Sequence, residues 1–299
     1  MTAEAQPTVL NQPFEGNRRS RSYGTRIVLE LFRSPQGALA AVICGALLFG
    51  AIFAPLITLH PPNEQFSGHR LESPSTEFWF GTDEFSRDLW SRVVYGLRAS
   101  LLIGFAAVLL SGVVGSLVGM LTGFLGGPVD TVVSRLVDAM LAFPATVGAI
   151  AIVTALGPSM MTVAVAIGVF NVPTFVRLAR ASALVERQRD YVLAATSVGV
   201  PRSRILLMHI APNAVAPLIV QFAFAISFAV LAEAGLSFLG LGIQPPSPSI
   251  GGTLNASRAY MFQSAWYVIL PTLTIGLLLT GMNLLADALN DVLDPRRRR

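Results

Sequence analysis

The sequence predicts an all-α membrane protein with six transmembrane helices, and three observations carry that reading. Charge is scarce: 53% of the 299 residues are hydrophobic and 13% are charged, against about 25% charged in soluble domains. A lipid-facing surface accounts for the deficit, because apolar side chains there need no polar skin. Apolar runs recur near residues 37–59, 99–125, 136–156, 159–178, 213–235 and 265–285, each near the roughly 20 residues that cross a bilayer core as a helix. The arginines between them are also unevenly shared. Segments on one side hold Arg135, Arg177, Arg180, Arg187, Arg189, Arg202 and Arg204, together with the basic residues of both ends. The other side holds Arg70, Arg87, Arg92, Arg98 and Arg258. Positive charge stays in the cytoplasm, so both termini are expected there.

Residues 1–35 form a polar cytoplasmic segment with Arg18, Arg19, Arg21, Arg26 and Arg33, and 36–299 form one transmembrane domain. The first apolar run is longer than the 7–15 residues of a signal-peptide core, so it reads as an uncleaved first helix. Residues 60–98 follow outside as an amphipathic segment. The second span carries Ser111, Gly115, Gly119, Gly123 and Gly127 at four-residue spacing. On a helix these form one drifting face where another backbone can approach closely. Pro173 is expected to break the fourth span, and the fifth opens near Pro212 and Pro217.

All 21 basic residues are arginine. Without lysine the chain can carry neither an ordinary phosphate-loop ATP site nor Schiff-base catalysis. The single cysteine, Cys44, excludes an intrachain disulfide and a thiolate metal site. His60, His69 and His209 are scattered, with no HExxH and no nucleophile–histidine arrangement, so no catalytic and no metal residue is expected. Three acids lie in or beside apolar runs. Asp138 can pair with Arg135 at i,i+3, while Glu233 and Asp287 lie near span ends within reach of water. Structural roles are favoured over ion coupling.

The loop 179–212 is long for a connection between membrane helices. Residues 185–197 read as one helical piece and 202–210 as a second, interrupted at Gly199 and Pro201. A short helix with a mixed face at the end of a bundle suits either a groove on a partner protein or the lipid headgroups. Physical reasoning alone leaves both open.

Resemblance separates them. Leu193-Ala194-Ala195, three residues, Gly199, nine residues and His209-Ile210-Ala211-Pro212 resemble the EAA loop of binding-protein-dependent importer permeases. That pattern is Glu-Ala-Ala, three residues, Gly, nine residues, Ile-x-Leu-Pro; Leu193, His209 and Ala211 depart from it. Ahead of the second span, Gly81-Thr82-Asp83, then Arg87-Asp88 and Ser91-Arg92, resemble the GTDxxGRDxxSR segment of dipeptide, oligopeptide and nickel permeases, with Ser86 in place of glycine. There Thr82 or Asp83 can cap a helix. The stretch from Glu233 to Pro246 is similar to EAxLSFLGLGxxPP, and the tail from Asn283 to Pro295 to NLLGDxLRDxLDP.

The resemblance implies a type I ABC importer permease fold, the second permease subunit of a peptide importer. It implies four kinds of protein partner or contact: a second permease subunit, two ATPase subunits that bind ATP and Mg, an extracytoplasmic solute-binding protein, and the bilayer. The cargo it implies is a dipeptide or oligopeptide, with nickel as the alternative. Leu193, Ala194, Ala195, Gly199 and Pro212 would couple to the ATPase. Gly81, Thr82, Asp83, Arg87 and Asp88 would form an outer-surface motif, and Gly115, Gly119 and Gly123 a helix-packing face. No nucleic acid and no cofactor of its own are expected. The rival is an ion-coupled carrier without ATPase partners, working through Asp138, Glu233 or Asp287. It would predict an internal repeat with matched broken helices, and none is visible.

The arginine asymmetry makes a direct prediction. Cysteines introduced singly as Ser75→Cys and Ser182→Cys, on a Cys44→Ala background, should differ in labelling by an impermeant thiol reagent in cells with an accessible outer surface. Labelling at position 75 alone is expected; labelling at 182 alone would invert the topology.

Overall fold

The computed structural model describes residues 30–293. The basic residues Arg18, Arg19, Arg21 and Arg26 and the tail at 294–299 lie outside the described residues. Among the described residues from 35 onward, eleven helices and one π-helical turn follow in order: α1 Pro35–Ile52, α2 Ala54–Ile57, α3 Leu89–Leu125, α4 Gly127–Ala142, α5 Ala145–Leu156, α6 Met160–Arg187, α7 Asp190–Ser197, α8 Arg202–Ile205, the π turn Leu206–Ile210, α9 Ala211–Phe238, α10 Ile250–Ser257 and α11 Trp266–Leu293. Among the described residues five helices are long and apolar enough to cross a membrane: α1, α3, α6, the continuous stretch Arg202–Phe238, and α11. The pair α4 and α5 counts as a sixth span if taken together.

Local chemistry explains most boundaries. Ser34 caps α1, accepting from Gly37 N at 3.0 Å, and Pro35 occupies the first turn, where a missing N–H costs nothing. The run predicted over 37–59 therefore starts at residue 35 and breaks at Phe53, just before Pro55. Three expectations change more. The third span is bent by 86° between α4 and α5, because Pro144 cannot continue the helix begun at Gly127. Pro173 does not break α6, which runs through it with the proline ring buried. Packed neighbours tolerate a proline inside a membrane helix. Of the outer segment 60–98, residues 60–88 are irregular and folded, and α3 begins at Leu89, ten residues before the predicted span.

The core lies where α3, α5, α6 and α9 meet, with Ile103, Val108, Val153, Val163, Ile167, Phe175 and Leu218 buried together. The α3–α6 seam is set by glycine. A Cβ at Gly115 would lie 2.7 Å from Val172 O, one at Gly119 2.3 Å from Val176 O, and one at Gly123 2.7 Å from Arg180 O. Gly127, placed on the same stripe by its spacing, instead opens α4 and would meet nothing within 4 Å. On the flank α1 and α11 pack together, with Gly281 against Ile43 and Cys44 Sγ 3.7 Å from Met282 Sδ. The one cysteine is thus a packing residue.

No side chain fits at Gly119 without parting two backbones, whereas Leu109 is exposed. Gly119→Leu should lower the yield of monodisperse protein severely, since overpacking costs on the order of 1–3 kcal/mol or more. Leu109→Phe should leave that yield near wild type. Equal yields by size-exclusion chromatography would remove the seam from the folding argument.

Candidate functional site

Two clusters occupy opposite ends of the bundle. At one end α6 stops at Arg187, and residues 188–189 turn the chain into α7 rather than continuing one helix through 185–197. The C-terminus of α7 is a complete Schellman closure: Gly199 N donates to Thr196 O at 3.1 Å and Val200 N to Ala195 O at 3.1 Å. Gly199 has φ +78°, the left-handed region that a Cβ disfavours, and no atom lies within 4 Å of where its Cβ would be. Val200 and Ala195 then pack on Ala183, Val192, Ile205 and Ile210, so the turn is pinned from below.

The second helical piece differs from its prediction. Only 202–205 is α-helical; 206–210 is a π turn closed by Ala211 N donating to Leu206 O. Pro212 supplies the reason. It has no N–H to offer Met208 O, and its ring would clash with that carbonyl in a regular helix. Widening the preceding turn relieves the clash. No break follows, so Pro212 lies in the first turn of α9 within one helix running from Arg202 to Phe238.

A polar knot ties the pieces together. Tyr191 Oη donates to Glu186 Oε2 at 2.5 Å, and Asn213 Nδ2 donates to His209 O at 2.7 Å and to Tyr191 Oη at 3.2 Å. The end of α6, the start of α7 and the root of α9 are thereby joined. Partial burial, and then the Glu186 carboxylate, push the Tyr191 phenol above its usual range. The outward surface is mixed: Leu193, Ala194, Val198, Leu207 and Met208 are exposed, Val198 at 80%, beside exposed Arg189, Asp190, Arg202 and Arg204. Leu193 stands where a glutamate was expected and makes this face more apolar.

At the opposite end the organising residue is Asp83, fully buried. Its carboxylate accepts from Phe85 N and Arg87 N, both at 2.9 Å, and from Arg87 Nε at 2.6 Å. Arg92 Nε lies 3.3 Å away as a second cation. Removing one partner from such a buried group typically costs about 3–5 kcal/mol. Tyr267 donates to Glu84, and Arg92 reaches Pro62 O at 3.1 Å, so α3, α11 and the segment 60–88 converge here. Gly81 has φ +75°, and a Cβ there would lie 2.2 Å from Glu72 O. Thr82 Oγ1 accepts from Glu72 N at 2.9 Å and donates to His69 O.

The helix cap is Asp88, accepting from Trp90 N and Ser91 N, not Thr82 or Asp83 as the sequence suggested. Thr82 and Asp83 are spent inside the loop, and no acid lies in the first turn of α3. Ser86 has φ +58°. That backbone angle explains why the resembling segment carries glycine at this position.

The intramembrane acids also move. Asp138 pairs with Arg177 at 2.6 Å rather than with Arg135. Glu233 is out of reach of water at 0% exposure and accepts from Ser100 Oγ at 2.5 Å and Ser237 Oγ at 2.6 Å. Asp287 is exposed. Sequence reasoning did not single out Ser100, Glu84, Tyr267, Tyr191 or Asn213. Each works through a partner from 5 to 183 residues away, and no local spacing announces that. No group of acid, histidine and cysteine side chains able to hold a metal occurs among the described residues.

Residues 115–299 match the family described as binding-protein-dependent transport system inner membrane component. The chain is similar to a dipeptide transport system permease protein of Alkalihalophilus pseudofirmus, 40% identical over 269 residues, covering 90% of this chain and 88% of that one. It is similar to a di/tripeptide transport system permease protein of Pseudomonas aeruginosa, 42% identical over 272 residues, covering 89% and 90%. A glutathione transport system permease protein of Escherichia coli is 39% identical over 265 residues, covering 88% of each. The all-helical bundle and the matched stretch, which spans the glycine seam, the Gly199 turn and Glu233, place this chain in the family of inner-membrane permease components of binding-protein-dependent transport systems.

Proposed function

We propose that this chain is one of two permease halves of an ATP-driven importer of short peptides, and that α7 with its Gly199 turn is the element docked by an ATPase subunit. The observation that carries the reading is the exposed apolar surface of Leu193, Ala194 and Val198, held on a pinned turn and joined through the π turn to a membrane-spanning helix. A helix lying only on lipid headgroups needs no rigid link to the bundle. A helix that transmits force does. ATP and Mg would be bound by the ATPase subunits, and this chain performs no chemistry. Its task is a two-state change biased by partners.

The relatives named for dipeptides, di/tripeptides and glutathione favour a short peptide over nickel as cargo. Family membership disfavours an ion-coupled carrier, and so does the pairing of Asp138 and Glu233 with neighbouring side chains. The opposite end, with Asp83, Arg87 and Asp88 buried in their own loop, serves as a shaped platform for an external solute-binding protein. By the arginine asymmetry the docked loop and both termini face the cytoplasm.

Gly199→Glu should abolish ATP hydrolysis stimulated by the binding protein in the reconstituted complex, while membrane levels of this subunit stay normal. The left-handed angle costs a bulky residue about 1–2 kcal/mol, and the new charge lies on the docking face. Gly199→Asn, which tolerates that angle, should keep most of the stimulation. Survival of stimulated hydrolysis and uptake in Gly199→Glu would return the loop to the lipid headgroups.

A further inference from the structure

Glu233 lies about one turn from the end of the helix whose other end is the docked loop. The stretch Arg202–Phe238 has 37 residues without a break, about 55 Å at 1.5 Å per residue, well beyond the bilayer core of about 30 Å. A rod of that length carries a displacement of its loop end across the membrane only if something grips it at the far end. Glu233 is placed to do so. One carboxyl oxygen accepts from Ser100 of α3 and the other from Ser237 of α9 itself.

Ser237 also lines a cleft of about 320 Å³, bordered by Glu84, Arg87, Arg92, Gln244 and Tyr267. Close packing surrounds the grip. A Cβ at Gly251 of α10 would lie 2.2 Å from Ala234 O, and one at Gly96 of α3 3.0 Å from Ile250 N. The helix α10 is therefore wedged between α3 and α9 beside the carboxyl group. An apolar side chain would fill the same space at lower desolvation cost, so what the hydrogen-bonded acid adds is a defined register between two helices.

We propose that Glu233 is a positioning residue for transport, clamping α9 to α3 so that movement of the docked loop reaches the far-end cleft. This rests on the reading of the loop as the ATPase-docking element. The clamp needs acceptors rather than a charge. A glutamine can accept from one serine and donate to the other, whereas a leucine fills the space and bonds to neither.

The test uses the complete complex in proteoliposomes, with its binding protein and a casein hydrolysate as the peptide source. The ratio of stimulated to unstimulated ATP hydrolysis is measured for each variant. Glu233→Leu should assemble at wild-type levels with unchanged unstimulated hydrolysis, and its stimulation should fall about tenfold, the order expected when the hydrogen bond across to Ser100 of α3 is lost. Glu233→Gln should stay within about twofold of wild type. Full stimulation in Glu233→Leu overturns the proposal. If that variant fails to assemble, Ser100→Ala supplies the readout. It removes the α3 contact and leaves the Ser237 contact in place. A selective loss of stimulation in Ser100→Ala supports the clamp; full stimulation, or loss of the complex, reduces Glu233 to a packing role and overturns it. Absence of stimulation in the wild-type complex overturns the docking reading itself, independently of any Glu233 variant.

Discussion

The contact on which the rest depends is the direct approach of two backbones along Gly115, Gly119 and Gly123. Helices in lipid gain little from hydrophobic burial against one another, so close van der Waals packing has to hold them. Three glycines over two turns let α3 lie against the carbonyls of Val172, Val176 and Arg180. Because α3 begins in the Asp83 cluster and α6 ends at the Gly199 loop, this one seam fixes the separation of the two ends. Shift it by an ångström and both clusters move.

Polar chemistry is then spent differently at the two ends. At the Asp83 end it is turned inward: a carboxylate with two backbone N–H donors and two guanidinium groups stiffens an otherwise irregular segment. At the loop end the polar knot of Glu186, Tyr191 and Asn213 sits behind an outer face that exposes Leu193 and Val198 among charged neighbours. A surface of that kind is complete only when covered, and its rigidity keeps its shape while uncovered. The spans between carry few charges among the described residues, Glu233 with its two serine donors being one.

Much of the fold was legible because apolar length and small-residue spacing are local properties. Six runs, the glycine seam and the interruption at Gly199 all followed from them. The misplaced features depend on partners distant in sequence. Pro144 was indistinguishable in character from Pro173, yet only Pro144 ends a helix. Pro173 lies buried among packed neighbours, while Phe143 and Pro144 are exposed. Asp83 was read as a helix cap, but the fold commits it to Arg87 and Arg92 and leaves the cap to Asp88. The burial of Glu233 depends on Ser100, which no periodicity links to it.

The π turn has a consequence for how this loop can vary. Residues five apart in an α-helix point about 140° away from each other, so Ile205 and Ile210 could not both face the interior of a regular helix. Closed by a bond spanning five residues, the turn brings them to the same side, and both are buried while Leu207 and Met208 face out. The interval from Gly199 to Pro212 thus sets the rotational phase between the exposed face of α7 and the buried face of the long helix. Losing one residue would turn one face about 100° against the other, whereas exchanging a glutamate for Leu193 or a leucine for Ala211 leaves the phase intact. Changes of side chain at Leu193 and Ala211 therefore leave the phase of this loop intact, whereas a change in its length does not.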